Sequence, residues 1–226
     1  MGSVAGKSAL VTGGARGIGA AIVEELSAHG ANVLAPTRQE LDLADPSAPA
    51  RYVQSSCPGG VDILVNNAGI NFIRPLAEVD CELWSQTMQV NLHAPFQLLQ
   101  LLAPKMAARR WGRVVNISSV FSLVTKEKRA IYSATKSGLN GLTRTAAVEF
   151  GPAGVLINAV CPGFVETELT RQNNSPADIE CLAASVPLRR LAKPAEIARF
   201  VRFLCSEDNT YINGQSLVID GGFTLQ

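Results

Sequence analysis

Two side chains four residues apart could together perform acid–base chemistry: Tyr132 and Lys136, at the start of an alanine-rich segment that runs to about residue 150. If this segment is a helix, residues at this spacing project from the same face. A lysine ammonium close to a phenol favours the phenolate and should lower the pKa of the tyrosine from its ordinary value of about 10. The phenol would then serve as a general acid and base near neutral pH. A solvated helix face can show the same spacing by chance, so the rest of the chain must decide.

The composition is that of a globular protein with an extensive buried core. Of 226 residues, 47% are hydrophobic and 17% are charged, and the formal net charge is +1. These values predict a single domain over residues 1–226, with no field that would attract nucleic acid or an anionic membrane. No apolar run approaches the roughly 20 residues of a membrane span, and the N-terminus lacks the pattern of a signal peptide.

The cysteines and histidines favour neither disulfides nor a metal site. Five cysteines, an odd number, show no CxxC or Cys/His ligand spacing, and the chain has only two histidines. We therefore expect reduced thiols, a cytoplasmic location and no metal.

A glycine-rich turn follows the first predicted strand, residues 8–12, and precedes an amphipathic helical pattern. Gly13 would permit a tight turn, and Gly17 would let the backbone approach a pyrophosphate near the helix N-terminus. Gly19 would let the helix pack closely on the strand. The alternative is a turn without a ligand. The other loop residues assigned to this dinucleotide site are Ala15, Arg16 and Ile18.

The end of the second predicted strand, residues 32–35, carries a cation and no acid. At this position a carboxylate would bind the ribose hydroxyls of NAD(H), whereas a cation would bind the 2′-phosphate of NADP(H). Arg38, joined by Arg16 from the glycine loop, favours NADP(H). NAD(H) is the alternative, since an exposed arginine is often only a solvated charge.

The stretch after Arg38 is too short for the usual connection. Residues 41–45 resemble the end of a third strand, yet a parallel crossover normally needs a dozen or more residues. We predict that the helix between strands two and three is missing and that strand three is reduced or absent. The segment would then cross the top of the sheet, with Asp42 and Leu43 beside the adenine.

Apolar runs and helical patterns alternate along the rest of the chain. This series predicts an α/β fold with a Rossmann-type, doubly wound parallel sheet of about six to seven strands. Pro95 and Pro104 predict a distortion in a long helix. The polar segment at about 166–190 is predicted to be a mobile lid. The remaining strands are expected at 61–65, 113–117, 155–160 and 216–220, and the helices at 46–56, 81–110, 132–150 and 194–203.

Polar and small residues collect at the C-terminal ends of these strands, the edge where open α/β sheets bind ligands. Asn67-Ala68-Gly69 fits a backbone that approaches a cofactor, although a simple turn is the alternative. Ser119 comes thirteen residues before Tyr132, so that their hydroxyls could share one substrate oxygen. Asn91 interrupts an apolar helix and is equally consistent with a structural hydrogen bond. The charged loop 126–129 is expected to be solvated surface, with attraction of an anionic substrate as the alternative.

Together these motifs resemble the short-chain dehydrogenase/reductase family in its ordinary short form, and in particular 3-oxoacyl-carrier-protein reductases. The resemblance spans nearly the whole chain in the family's order. Its one clear departure is the shortened region after the second strand. The residues that carry it are Thr12-Gly-Gly-Ala-Arg-Gly-Ile-Gly19, Asn66-Asn-Ala-Gly69, Asn91, Ser119, Tyr132-x-x-x-Lys136, Pro162-Gly163 and Asp220-Gly-Gly222.

The resemblance implies a catalytic role for each of four residues. Tyr132 would protonate a carbonyl oxygen, or deprotonate an alcohol, while hydride passes to or from the nicotinamide. Lys136 would lower the pKa of the tyrosine and hydrogen-bond the nicotinamide ribose. Ser119 would polarise the substrate oxygen, and Asn91 would hold a water that relays protons from Lys136.

The resemblance also implies how the cofactor and substrate are held. The turn at Pro162 and Gly163, with Val165 and Thr167, would meet the nicotinamide carboxamide. Other residues are expected to shape the substrate pocket together with Ser119 and Tyr132: Phe121 and Phe164 as contacts, with Ile70, Asn71, Phe72 and Val120 around them.

The implied function is an NAD(P)(H)-dependent oxidoreductase, with NADP(H) favoured, that acts on a small-molecule or acyl-thioester substrate. Reduction of a 3-oxoacyl thioester is the first expectation, and a sugar, polyol or secondary-metabolite ketone is the alternative. Epimerases or dehydratases of the family, and a non-catalytic cofactor-binding scaffold, are the competing classes. The family also implies a homotetramer or dimer assembled through the helices at 81–110 and 132–150.

Overall fold

Six parallel strands form one sheet in a computed structural model that describes residues 3–225. The strand order is β2-β1-β3-β4-β5-β6. The order of the strands changes direction between β1 and β3, as in a Rossmann-type doubly wound sheet. This fold class confirms the prediction. The strands are β1 (Ser8–Val11), β2 (Asn32–Leu34), β3 (Ile63–Asn66), β4 (Gly112–Ile117), β5 (Val155–Pro162) and β6 (Ser216–Ile219).

Helices cover both faces of the sheet, because successive strand residues point to opposite sides. Leu10 packs with residues of α2, α4 and α5, whereas the next residue, Val11, packs with α1 and α8. The described helices are α1 (Gly17–Ala28), α2 (Ala48–Ser56), α3 (Cys81–Met88), α4 (Ala94–Ala108), α5 (Ala130–Phe150), α6 (Glu168–Asn173), α7 (Pro176–Ser185) and α8 (Pro194–Cys205).

The connection between β2 and α2 contains neither a helix nor a strand, which confirms the predicted loss of both. Residues 35–47 instead form turns that lead directly into α2. Leu41 and Leu43 are only 5% and 6% exposed and pack against the α2–α4 side of the core. Their burial explains the strand-like alternation of the sequence: the loop is anchored by two leucines without joining the sheet.

The long helix predicted over 81–110 is interrupted around Asn91, four residues before Pro95. A single π-helical turn, Gln89–His93, joins α3 to α4. Pro95 has no N–H to donate to the carbonyl of residue 91, so the regular hydrogen-bond ladder fails at that point. The predicted distortion is therefore confirmed, and it brings Asn91 to an irregular, fully buried position. Pro104 lies inside α4 without ending it.

The segment predicted as a lid contains two short helices, α6 and α7, neither of which has a buried residue. A capping box between Ser175 and Asp178 starts α7. The two helices thus add nothing to the core, although Val186 after α7 is only 2% exposed, and the mobility of the segment stays a prediction.

The five cysteines are free thiols, three buried and two exposed, as expected from their spacing. Within residues 3–225, no helix combines the length and the apolar character needed to cross a membrane.

Candidate active site

The C-terminal ends of β1, β3, β4 and β5 open into one cleft of about 550 Å³. Apart from Asn91 and Val120, which are buried outside its lining, the cleft brings together the residues that the sequence assigned to cofactor, substrate or catalysis. These are Gly13, Ala15, Arg16, Gly17, Ile18, Gly19, Arg38, Asp42, Leu43, Asn67, Ala68, Gly69, Ser119, Phe121, Tyr132, Lys136, Pro162, Gly163, Phe164, Val165 and Thr167.

The glycine loop has the geometry of a phosphate cradle. Gly13 and Gly17 adopt positive φ angles of 65° and 57°, which favour glycine. A Cβ atom on Gly19 would stand 2.1 Å from the carbonyl oxygen of Gly13, so only glycine fits there. The helix α1 begins at Gly17, and its first N–H groups have no partner within the helix. The loop therefore fits the pyrophosphate of a dinucleotide, with backbone close enough to approach an anion.

Thr12 and Asn67 tie this loop to the end of β3. The Nδ2 of Asn67 donates to the carbonyls of Thr12 and Gly13, each at 3.0 Å. The hydroxyl oxygen of Thr12 accepts hydrogen bonds from the N–H groups of Asn67 and Ala68, each at 3.1 Å. Thr12 also lines the cleft, yet it had no assigned role in the sequence. Its only signal was a hydroxyl side chain directly before the two glycines.

A row of buried, hydrogen-bonded side chains positions α5 on the sheet. The Nδ2 of Asn66 donates to Oδ1 of Asn116 at 2.8 Å, which ties β3 to β4. The Nδ2 of Asn116 donates in turn to the Thr143 hydroxyl at 2.9 Å. These bonds fix α5, and with it Tyr132 and Lys136, relative to the strand ends.

Lys136 is buried at the inner end of the cleft, with 3% of its surface exposed. Its Nζ donates to the carbonyl oxygen of Ile117, at the end of β4, over 2.7 Å. The same Nζ lies 5.5 Å from the centre of the Tyr132 ring. Burial lowers the pKa of the Lys136 ammonium to about 8. The i,i+4 spacing has therefore placed a cation beside the phenol, as the sequence indicated.

The expectation that the pKa of Tyr132 is lowered is wrong in its direction. Burial raises the pKa of Tyr132, and this exceeds the lowering by a hydrogen bond with Ser119 and by the charge of Arg129. Lys136 is not among the groups that lower the pKa of Tyr132, and its Nζ donates to the Ile117 carbonyl. The phenol is thus held in its protonated form at neutral pH, which suits a general acid.

Ser119 stands at the end of β4, where it caps a short 3₁₀ turn over residues 120–122. Its hydroxyl oxygen accepts the N–H of Phe121 at 3.1 Å. Ser119 and Tyr132 line the same cleft, and hydrogen bonding by Ser119 lowers the pKa of the phenol. That their hydroxyls share one substrate oxygen stays a prediction.

Asn91 uses its whole amide to hold two neighbouring segments. Its Oδ1 accepts the N–H of Ile70 at 2.9 Å, and its Nδ2 donates to the Ile70 carbonyl at 2.8 Å. A longer contact of 3.3 Å reaches the hydroxyl of Thr135 in α5. These hydrogen bonds show that Asn91 has a structural role, and its role in proton relay stays a prediction.

An aromatic wall flanks the catalytic hydroxyls. Phe121 makes edge-to-face contacts with Tyr132 and Phe164, with ring centres 6.4 Å and 6.3 Å apart. Phe164 in turn contacts Phe223 at 4.9 Å. Sequence reasoning selected Phe121 and Phe164 but missed Phe223, which directly follows the Asp220-Gly-Gly222 motif and lies far along the chain from both. The loop residues Ile70, Asn71 and Phe72 line the same region, whereas Val120 is buried beneath it.

The two arginines assigned to the adenosine phosphate are each paired with a different carboxylate. Arg38 contacts Asp42 at 3.3 Å, and Arg16 contacts Glu168 of α6 at 3.0 Å. All four side chains are well exposed, so these ion pairs add little stability and can be exchanged for a ligand. Joint binding of one phosphate by Arg16 and Arg38 stays a prediction.

The charged loop 126–129 is not wholly solvated, which corrects the sequence-based expectation. Arg129 is 6% exposed, and both Lys126 and Arg129 line the cleft. The burial arises because Arg129 directly precedes α5 and its guanidinium folds inward over the ring of Phe121, 5.4 Å from the ring centre. A run of charges in the sequence gives no sign that one of them turns inward.

The chain matches known proteins over nearly its full length. A family model described as Enoyl-(Acyl carrier protein) reductase matches residues 40–224, and one described as short chain dehydrogenase matches residues 7–48. A 3-oxoacyl-[acyl-carrier-protein] reductase of Vibrio cholerae is 37% identical, covering 97% of this chain and 98% of its own. A tropinone reductase homolog of Arabidopsis thaliana is 36% identical, with 99% and 94% covered.

A solved structure extends the comparison to the fold. The gluconate 5-dehydrogenase from Burkholderia cenocepacia, in complex with NADP and tartrate, superposes with a TM-score of 0.91 at 31% identity. The match covers 99% of this chain and 97% of that one. Full-length similarity in sequence and in fold thus accompanies the cleft geometry, and the chain belongs to the short-chain dehydrogenase/reductase family of oxidoreductases.

Proposed function

We propose that the protein is an NADP(H)-dependent oxidoreductase that interconverts a carbonyl compound and a secondary alcohol. The observation that carries this proposal is that Ser119, Tyr132 and buried Lys136 line one cleft together with the glycine loop. One end of the cleft offers a proton donor, and the other offers a site for phosphate.

Reduction adds a hydride to the carbonyl carbon and a proton to the carbonyl oxygen. When bound, the reduced dinucleotide supplies the hydride and is oxidised in the process. Tyr132 donates the proton to the oxygen, and Ser119 hydrogen-bonds the same oxygen, so that the developing negative charge is stabilised. Oxidation of the alcohol reverses these roles, with Tyr132 accepting the proton as its phenolate.

Lys136 lies beside the phenol as a buried cation. At neutral pH an ammonium whose pKa is about 8 is largely protonated, and it donates to the Ile117 carbonyl. Lys136 is also assigned to the nicotinamide ribose. Asn91 is assigned to the exchange of protons with solvent through a water. The turn from Pro162 to Thr167 is assigned to binding of the nicotinamide carboxamide.

Preference for NADP(H) rests on Arg38, with Arg16 as a second candidate, in the part of the cleft that follows β2. No acid occupies the end of β2, and the residues that follow Leu34 are Ala35, Pro36 and Thr37. The solved gluconate 5-dehydrogenase contains NADP, which supports the same preference. Asp42, paired with Arg38, is the group that would favour NAD(H) instead.

Two substrate classes are supported by different relatives. The bacterial 3-oxoacyl-[acyl-carrier-protein] reductases, at 35–37% identity, favour reduction of a 3-oxoacyl thioester. The gluconate dehydrogenases among the solved structures favour a sugar-derived ketone or alcohol. Both reactions use the same hydride and proton steps.

A screen of cofactor oxidation tests the proposed function. Purified protein is mixed with NADPH or NADH and with an acyl thioester, a sugar-derived ketone or a cyclic ketone, and absorbance at the reduced nicotinamide band is followed. We expect turnover with at least one ketone and faster turnover with NADPH. A redox-neutral epimerisation or dehydration, or tight cofactor binding without turnover of any ketone, would refute the oxidoreductase proposal.

We further propose that residues 166–190 act as a lid and that the protein forms a homodimer or homotetramer. The exposed apolar side chains Trp84, Phe96 and Val148, on α3, α4 and α5, support an interface on these helices. Five free cysteines fit the reducing cytoplasm. Light scattering after gel filtration tests the assembly, and a monomer at micromolar concentration would contradict it.

A further inference from the structure

Arg129 is a buried cation that lacks hydrogen-bond acceptors. It is 6% exposed, and its Nε and Nη1 have no hydrogen-bond partner among the described residues. Within residues 3–225 no carboxylate pairs with it. The guanidinium lies over the ring of Phe121, with 5.4 Å from the guanidinium carbon to the ring centre. A guanidinium buried without acceptors costs free energy, so the position is explained by a ligand that supplies them.

The guanidinium lies in the substrate end of the cleft. Arg129 comes three residues before Tyr132, and both side chains contact the ring of Phe121 from different sides. The charge of Arg129 lowers the pKa of Tyr132, as expected for groups close together. A ligand bound to Arg129 would therefore lie next to the reacting oxygen.

A second cation on the same loop strengthens the positive field. Lys126 also lines the cleft, and burial, together with repulsion from Arg129, lowers the pKa of its ammonium. Asp178 and Glu127 oppose this effect from nearby, but neither forms an ion pair with Arg129. Arg129 is thus left available to a ligand, whereas the charge of Lys126 is partly balanced by these two carboxylates.

Asn71 provides a neutral acceptor in the same region. Its Oδ1 is buried without a hydrogen-bond partner, and the residue lines the cleft. The loop that contains Asn71 is tied to the Arg129 loop by the N–H of Arg74, which donates to the Lys128 carbonyl at 3.3 Å. An unpaired amide oxygen requires a donor, and a substrate hydroxyl would provide one.

We propose that Arg129 binds a carboxylate of the substrate and that Asn71 accepts a hydrogen bond from one of its hydroxyls. The substrate class is then a hydroxylated carboxylic acid and its keto form, a more specific assignment that rests on the proposed function. The planar guanidinium offers two parallel N–H donors, which match the two oxygens of a carboxylate. The carboxylate and the reacting carbon belong to one compact molecule, because Arg129 and Tyr132 share a wall.

An acyl thioester fits these groups less well. Its acyl chain is apolar, and the negative charge of its carrier arm is separated from the carbonyl by the length of the pantetheine unit. Such a substrate would leave the Arg129 guanidinium and the Asn71 amide oxygen without partners, and unpaired buried polar groups weaken binding.

The test compares two pairs of compounds that differ in one group. D-gluconate and D-glucitol share their hydroxyl pattern, as do 5-ketogluconate and L-sorbose, but only the first of each pair carries a carboxylate. Each compound is assayed for turnover with NADP⁺ or NADPH, and gluconate and glucitol binding to the NADP⁺ complex is measured by calorimetry. The variants are Arg129→Met, Arg129→Lys and, as a control, Arg199→Met, an exposed arginine on α8.

We expect the wild type to prefer the acid of each pair, and Arg129→Met to lower kcat/KM for the acid by about 10- to 100-fold, mainly through KM. Turnover of the neutral partner should fall much less than that of the acid, Arg199→Met should match the wild type, and Arg129→Lys should recover part of the loss. Added guanidinium should partly restore an Arg129→Ala variant, which a purely structural role would not allow.

Three results would overturn the proposal. The first is equal loss for acid and neutral compounds in a folded Arg129→Met variant. The second is wild-type preference for 3-oxoacyl thioesters, and the third is binding of glucose 6-phosphate or inorganic phosphate in place of gluconate. Arg129-dependent binding of gluconate without turnover of any ketone would instead support the anion site and refute the oxidoreductase proposal, so the two failures are distinguishable.

Discussion

Replacing Lys136 by methionine should make the protein more stable at neutral pH, although it removes a residue assigned to catalysis. Lys136 is 3% exposed, and burial lowers the pKa of its ammonium from 10.5 to about 8. At pH 7 the group is charged in both the folded and the unfolded chain, so the native state carries the cost of burying that charge. Methionine retains a long apolar stem that fills the space.

The size of the gain follows from the change in pKa. Because each pKa unit is worth about 1.4 kcal/mol, a fall from 10.5 to about 8 costs the native state about 3 kcal/mol. The substitution also removes the 2.7 Å hydrogen bond to the Ile117 carbonyl, a loss of about 1 kcal/mol. The net gain is about 2 kcal/mol, or about 6 °C in Tm for a chain of this length.

Urea unfolding at pH 7, 8.5 and 10 measures this effect. Between pH 8 and 10.5 the unfolded lysine keeps a proton that the native one has lost, so wild-type stability rises with pH and the advantage of Lys136→Met shrinks. Lys105→Met is the control, since Lys105 donates to the Pro58 carbonyl at 2.7 Å in an exposed position. A Lys136→Met variant that is less stable than the wild type at pH 7, or a difference independent of pH, would refute the reasoning.

Three further substitutions probe the cofactor site and the framework. Arg38→Ala should weaken NADPH binding by about 10-fold and NADH binding much less, as measured by nicotinamide fluorescence; equal effects would exclude Arg38 as the phosphate ligand. Gly19→Ala should abolish NADPH binding or folding, because its Cβ would meet the Gly13 carbonyl at 2.1 Å, whereas Gly59→Ala, with open space around it, should behave as the wild type. Asn116→Ala should lower the free energy of unfolding by about 2–3 kcal/mol in urea, since it leaves the buried Asn66 Nδ2 without its acceptor and removes the bond to the Thr143 hydroxyl; a loss below about 0.5 kcal/mol would contradict this.

Local patterns in the sequence were sufficient for the sheet and for most of the cleft. The strand-ending positions of Asn67 and Ser119, and the i,i+4 spacing of Tyr132 and Lys136, depend only on periodicity and on where parallel strands end. The missing third strand could be predicted because the chain after Arg38 is too short for a crossover. Each of these inferences uses residues that are close in sequence.

Long-range geometry explains what the sequence could not provide. The direction of the Tyr132 pKa depends on burial by the surrounding fold, which outweighs a neighbouring charge that local spacing can suggest. The inward turn of Arg129 depends on Phe121, and the pairing of Arg16 with Glu168 joins segments that are remote along the chain. The sequence around Asn91 is equally consistent with a structural hydrogen bond and a proton relay, and the bonds to Ile70 that show the structural role join segments remote along the chain.

The most direct test of the proton-transfer assignment is the Tyr132→Phe variant with the best ketone from the cofactor screen. Loss of the phenolic hydroxyl should lower kcat by about 10²-fold or more, because general acid catalysis contributes at least that much. NADPH affinity, measured by fluorescence titration on the same sample, should stay within about twofold of the wild type. Retention of most of the wild-type kcat by a folded Tyr132→Phe variant would contradict the central role of Tyr132.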